Sequence, residues 1–195
     1  MPTPDSKLLT FRKVFIACLL AYVICISFRL MELPTWNSPS LQIDGEPLMA
    51  THDAYAWMAG AKETGRWTGA PMSQILAALH MVTGLSLGTI NFWLPVLFAP
   101  LVVVPICIVL ARWGYADFAS LAGILGGGSF GFLLRTRAGY GDTDVFSLLL
   151  SLVFGTALVL WSHRLLRPDW LRKAPAPKQE VAARTFFLQA LLVGL

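Results

Sequence analysis

The sequence predicts an all-α, polytopic transmembrane protein, and three observations carry that expectation. Hydrophobic residues make up 56% of the 195 and charged residues only 13%, too apolar a balance for a soluble domain of this length. The mean hydropathy is positive. The apolar residues are also gathered into runs near the roughly 20 residues that a helix needs to cross about 30 Å of hydrocarbon. A formal net charge of +4 would point a soluble protein toward an anionic partner. In a membrane protein Lys and Arg are first of all topology signals, and nucleic acid is not expected as a partner. Cys18, Cys25 and Cys107 lie inside apolar runs without metal-ligand spacing, where a thiol acts as a small hydrophobe.

The first run, 14–30, follows Lys7, Arg12 and Lys13. It exceeds the usual signal-peptide core and is followed by Phe28-Arg29-Leu30-Met31-Glu32 rather than a small-residue cleavage site, so it reads as an uncleaved helix. A second run spans 90–111, and Pro95, Pro100 and Pro105 inside it predict a kink whose freed carbonyls need neighbouring donors. Runs 118–134 and 145–160 predict a third and a fourth helix, both a little short. Residues 164–184 form a polar, proline-stiffened linker. A fifth run, 186–195, stops too soon to span, so the sequence reads as truncated.

Topology follows from the basic residues. If the helices alternate, Lys7, Arg12, Lys13, Arg112 and the cluster Arg164 to Arg184 share one face, which the positive-inside rule makes cytoplasmic. Segments 32–89 and 135–144 then lie on the opposite, outer face. Arg135 and Arg137 break the charge rule there.

The long outer segment has internal order. "LPTWNSPSLQIDGEP" is rich in turn residues and reads as a loop. "HDAYAWMAGAKETG" predicts a short helix, with His52 or Asp53 near its start and Gly65 near its end. At about 3.6 residues per turn, Asp53, Trp57, Gly60 and Ala61 share one face. "PMSQILAALHMVTGLSL" predicts a second helix opened by Pro71. Both are expected at the lipid interface, with Trp57 and Trp67 at headgroup depth.

Carboxylates at a membrane boundary are costly unless they pair or bind a cation. Asp142 and Asp144, two residues apart just before a helix, can direct oxygens at one hard divalent cation. Alternatively they cap the fourth helix and pair with Arg135 and Arg137. Asp53 has the same two readings, ligand or cap, and His52 and His80 read as satisfied interface histidines rather than metal ligands.

Four stretches, "THDAYAWMAGAK", "APMSQILAALH", "LVVVPI" and "RTRAGYGDTDV", occur in the order in which similar motifs occur in one family. Through them the chain resembles the N-terminal part of the catalytic subunit of oligosaccharyltransferase, the STT3 and PglB family. The last stretch resembles that family's Arg-Thr-x-x-Gly-Tyr-x-Asp-x-Asp motif. The resemblance implies a GT-C-type glycosyltransferase membrane domain, a lipid-linked oligosaccharide donor and an acceptor polypeptide, with Mg²⁺ or Mn²⁺ as cofactor. It implies that Asp53 and Asp142 ligate the metal with Asp144 in or beside that shell, and that Asp53 also contacts the acceptor amide as a catalytic group. Arg135 aligns with the family arginine and is expected on the donor pyrophosphate. Arg137 does not align; it reads either as a second pyrophosphate contact or as the partner of an acid or a lipid headgroup. A later acidic loop and the Trp-Trp-Asp sequon-reading motif of the family have no counterpart in these 195 residues, so the chain alone is expected to be inactive. Two other readings stay open: a different glycosyltransferase using a lipid-phosphate sugar, and a non-catalytic membrane subunit or transporter fragment.

Overall fold

The computed structural model describes residues 4–165, with side chains from 11 to 162; the fifth apolar run and nearly all of the 164–184 linker lie outside them. A division into two units falls between Ala157 and Leu158, and every residue that builds the site lies in the first. Helix α1 (Pro4–Leu30) is followed by the short α2 (Leu33–Trp36). Within the turn-rich segment, strands β1 (Gln42–Ile43) and β2 (Glu46–Pro47) pair antiparallel, Ile43 opposite Glu46. Asp44 and Gly45 both adopt left-handed backbone, φ 53° and 79°, the two-residue turn that Asp-Gly favours between strands. That hairpin is the small exception to an otherwise helical fold.

Helix α3 (His52–Ala61) starts where Thr51 accepts the Ala54 N–H on its side chain. The cap is therefore Thr51, not His52 or Asp53, and Asp53 is left in the first turn with its carboxylate bonded to no backbone group among the described residues. Helix α4 (Pro71–Thr83) opens with proline at its first position and ends at Gly84, whose φ of 70° lets its N–H reach back to the His80 carbonyl. The expected helix through Leu87 is thus interrupted. Ser86 caps the next one by accepting the Thr89 N–H at 3.1 Å.

Helix α5 (Leu87–Phe98) and helix α6 (Val103–Arg112) are joined by the 3₁₀ turn Ala99–Val102. The break is where proline chemistry predicts one: Pro100 and Pro105 lack the N–H groups that would bond back four residues. The Tyr22 hydroxyl on α1 donates to the Leu97 carbonyl at 2.9 Å, a partner from a neighbouring helix.

The run 118–134 is not one helix, which corrects the expectation. It forms α7 (Ala119–Gly127) and α8 (Phe130–Arg135), separated at Gly128-Ser129. The three glycines 126–128 lower helix propensity, and they allow close packing: Gly127 meets Cys25 Sγ and Val103, and Gly123 meets Ala21, so that any Cβ there would lie within 3.0 Å of one of them. Small residues at such contacts let membrane helices approach. Helix α9 (Asp144–Leu165) follows the loop 136–143. Among the described residues three stretches, Phe11–Leu30, Leu87–Arg112 and Asp144–Ser162, are long and apolar enough to cross a membrane, so this is a multi-pass membrane protein.

One buried cluster, Met72 and Leu76 of α4 with Leu87, Ile90 and Leu94 of α5 and Val145 of α9, sets the outer helices on the second span. Trp57 packs against it and meets Trp67 in a tilted aromatic pair, ring centroids 5.1 Å apart and planes at 53°. A second cluster, Met49, Ala54, Phe92, Val96 and Ala138, draws together the start of α3, the middle of α5 and the loop after α8. The candidate site stands on that cluster.

Candidate functional site

Three backbone segments converge here. The Ala50 N–H donates to the Gly139 carbonyl at 2.9 Å, and the Gly139 N–H donates to the Phe92 carbonyl at 3.1 Å. Gly139 has φ 74°, and a Cβ on it would press on the Phe92 ring and Trp36 at 3.2–3.3 Å. Only glycine fits that conformation and that approach without strain. The stitch brings the residues before α3 and the residues before α9 to one place.

The result is a pocket of about 440 Å³ lined by Met49 to Asp53 and by Tyr55, Arg135, Tyr140 and Asp142. Asp53 is exposed at its edge, whereas Asp142 is only 8% exposed. Asp142 Oδ1 accepts from the Thr143 N–H at 2.6 Å, which fixes the carboxylate's orientation. Asp144, at the first position of α9, turns the other way: its Oδ2 accepts from Arg135 Nε at 2.7 Å. Asp144 lines an adjoining groove of about 580 Å³ with Phe132, Arg135, Ser147, Leu148 and Ser151. Arg135 is therefore a wall common to both spaces. Its Nη2 lies 3.6 Å from Asp142 Oδ2, and its guanidinium stacks 5.5 Å from the Tyr140 ring. The hydrogen bond to Asp144 and that residue's charge, aided by Tyr140 and Asp142, raise the Arg135 pKa above its ordinary value.

Of the residues singled out from sequence, Asp53, Asp142 and Arg135 meet in one pocket. Asp144 does not line it, and among the described residues no group of three or more His, Cys, Asp or Glu side chains is close enough to hold a metal ion. Arg137 does not line it either. Its Nη1 donates to Glu32 Oε1 at 3.2 Å, so of the two readings for Arg137 the structure shows the pairing with an acid. His52 lines the pocket, and His80 Nδ1 bonds the Leu85 carbonyl at 2.6 Å.

Two residues next to the site escaped the sequence reading. Arg29, at the end of α1, is fully buried and has no carboxylate against it among the described residues. Its guanidinium donates to the carbonyls of Cys25, Gly127 and Thr136 and to Thr136 Oγ1, and lies 5.3 Å from the Phe132 ring. It thereby satisfies the carbonyl exposed where α7 stops, with positive charge at a helix C-terminus, and holds the residue after Arg135. Its signal was the one noticed for Arg135, an arginine on the face where the charge rule expects none. Asn91 is the second, a polar residue within the apolar run of the second span, also fully buried.

An α-helical, multi-pass membrane protein with an acidic, arginine-walled pocket beside its spans is the class that fold and site define. Residues 65–166, just over half of the chain, match the family described as Oligosaccharyl transferase STT3, N-terminal. The chain belongs to that family, which has the membrane GT-C glycosyltransferase fold. The matched stretch contains the whole Arg135–Asp144 segment and begins after Asp53. No curated protein matches the chain.

Proposed function

We propose that the chain is the N-terminal part of an oligosaccharyltransferase catalytic subunit, transferring an oligosaccharide from a lipid-pyrophosphate carrier to an acceptor asparagine. The work would take place on the periplasmic or external face of a cell inner membrane, with membrane lipid around the spans. One observation carries the reading: Asp53 and Asp142, from distant parts of the sequence, line one pocket with Arg135.

The donor set fits a hard divalent cation, since both carboxylates offer only oxygen. Asp53 and Asp142 would hold it, with Asp144 behind Arg135 as a reserve of negative charge. When bound, Mg²⁺ or Mn²⁺ supplies Lewis-acid stabilisation of the charge that develops on the departing pyrophosphate. Arg135 presents a planar fork suited to phosphate oxygens, and Asp144 orients that fork through Nε. Asp53, relieved of capping by Thr51, is free to accept a hydrogen bond from the acceptor amide N–H. That bond favours a rotated amide, whose nitrogen lone pair is less delocalised and attacks the sugar carbon more readily. On this reading the chain alone does not transfer glycan, because its pocket offers two carboxylates and the sequence carries no Trp-Trp-Asp.

The test is Asp142→Asn in the complete enzyme, assayed with lipid-linked oligosaccharide and an acceptor peptide. Transfer is expected to fall by about a hundredfold or more. Undiminished transfer would favour a non-catalytic membrane subunit, and turnover of a lipid-monophosphate sugar instead would favour another glycosyltransferase.

A further inference from the structure

We propose that Asn91 is a positioning residue that sets the spacing between the Asp53-bearing helix and the Asp142-bearing loop. The inference rests on the reading of their shared pocket as a divalent-cation site. Asn91 sits in α5 with no exposed surface. Its Nδ2 donates to the Ala54 carbonyl at 3.0 Å, so it grips α3 at the residue after Asp53. On its other side the amide lies against Gly141, the residue before Asp142, so closely that a Cβ at 141 would overlap it. One side chain thus touches the immediate neighbours of both candidate ligands, and two backbone hydrogen bonds through Gly139 tie the same three segments together.

The chemistry of Asn91 argues that stability is not its purpose. Its Oδ1 is buried without a hydrogen-bond partner among the described residues. A buried acceptor left unpaired is destabilising, whereas an apolar side chain of the same shape avoids the desolvation cost. Leucine would fill the space in this apolar helix more favourably but could not grip Ala54. Gly141 fits the same logic: the loop must pass the amide at a distance that no other residue permits. Partners behind metal ligands fix ligand orientation, and their loss weakens metal affinity by about tenfold to a hundredfold.

The experiment uses the full chain in detergent, with Mn²⁺ as probe, free Mn²⁺ followed by electron paramagnetic resonance, melting by circular dichroism and amide exchange by mass spectrometry. Asn91→Leu is expected to raise the Mn²⁺ Kd about tenfold, to melt no lower than the parent, and to speed exchange in segments 52–56 and 138–143 together while leaving the α1–α7 packing unchanged. Gly141→Ala, which drives the amide off Ala54, should reproduce the loss. Combined with Asn91→Ala it should cost nothing beyond Asn91→Ala alone. A lower melting temperature with unchanged Kd and exchange would overturn the proposal. If Asp53→Asn and Asp142→Asn leave Mn²⁺ binding untouched, the cation reading fails by itself. Exchange then decides on Asn91: joint acceleration of the two segments supports positioning, and unchanged exchange refutes it. Should Asn91→Leu not fold, Asn91→Ser is read by the same criteria.

Discussion

Arg135 Nε donates to Asp144 Oδ2 at 2.7 Å, which leaves the Nη edge of the guanidinium toward Asp142 and the pocket. The contact raises the Arg135 pKa. The sign follows: the guanidinium keeps its charge, and the attraction that depends on it, at every pH below that raised value and loses it only above. An alkaline fall in activity would have to come from another group. Asp144→Asn is expected to lower transfer in the complete enzyme by about tenfold or more through misorientation of Arg135. Melting should not change measurably, because the pair is exposed. A parallel loss of both would mean that Asp144 serves folding instead.

Arg29 should behave in the opposite way. Arg29→Met leaves the Gly127 and Thr136 carbonyls and Thr136 Oγ1 without their donor in a buried place. The expected cost is about 3 kcal/mol, from unsatisfied groups at 1–3 kcal/mol each. Arg29→Lys keeps the charge and loses the fork, so it should recover only part. Denaturant titration in detergent measures both.

Thr51→Ala removes the acceptor for the Ala54 N–H and should destabilise by about 1 kcal/mol. Thr51→Ser should retain most of that stability. In the complete enzyme the alanine variant should also lose activity, because fraying of the first turn moves Asp53. Activity unchanged in the face of lower stability would separate Asp53 from the chemistry.

For Glu32 and Arg137, side chains 41% and 36% exposed, a double-mutant cycle with Glu32→Gln and Arg137→Gln should give a coupling of about 0.5 kcal/mol. Arg137→Gln should leave the donor KM nearly unchanged. A large rise in KM would restore Arg137 to the pyrophosphate.

The spans were legible because crossing hydrocarbon demands long apolar runs, and nothing else in a sequence looks like 14–30 or 145–160. The prolines of the second span announced its break for the same local reason. The split between α7 and α8 was hidden: glycine is common inside apolar membrane helices, so Gly126 to Gly128 did not mark a stop, and the group that stabilises the free carbonyl, Arg29, comes from far away in the sequence. At the site, residue types marked Asp53, Asp142 and Arg135, since acids and arginines are conspicuous at a membrane edge. Which of two aspartates faces the pocket depends on one turn of backbone, and that Arg137 meets Glu32 depends on tertiary folding. Asn91 gave a weak signal, one amide among apolar neighbours, without any hint of what it touches.

The junction at Ala50, Phe92 and Gly139 is made by main-chain atoms, so it transmits almost no information about side-chain identity at two of its three corners. In a saturation library scored for folded protein, position 50 should accept a broad alphabet and position 92 a range of bulky apolar residues, while position 139 should return glycine alone. A lineage could thus rewrite positions 50 and 92 and keep this junction, while the spacing of the pocket still depends on Asn91 and Gly141.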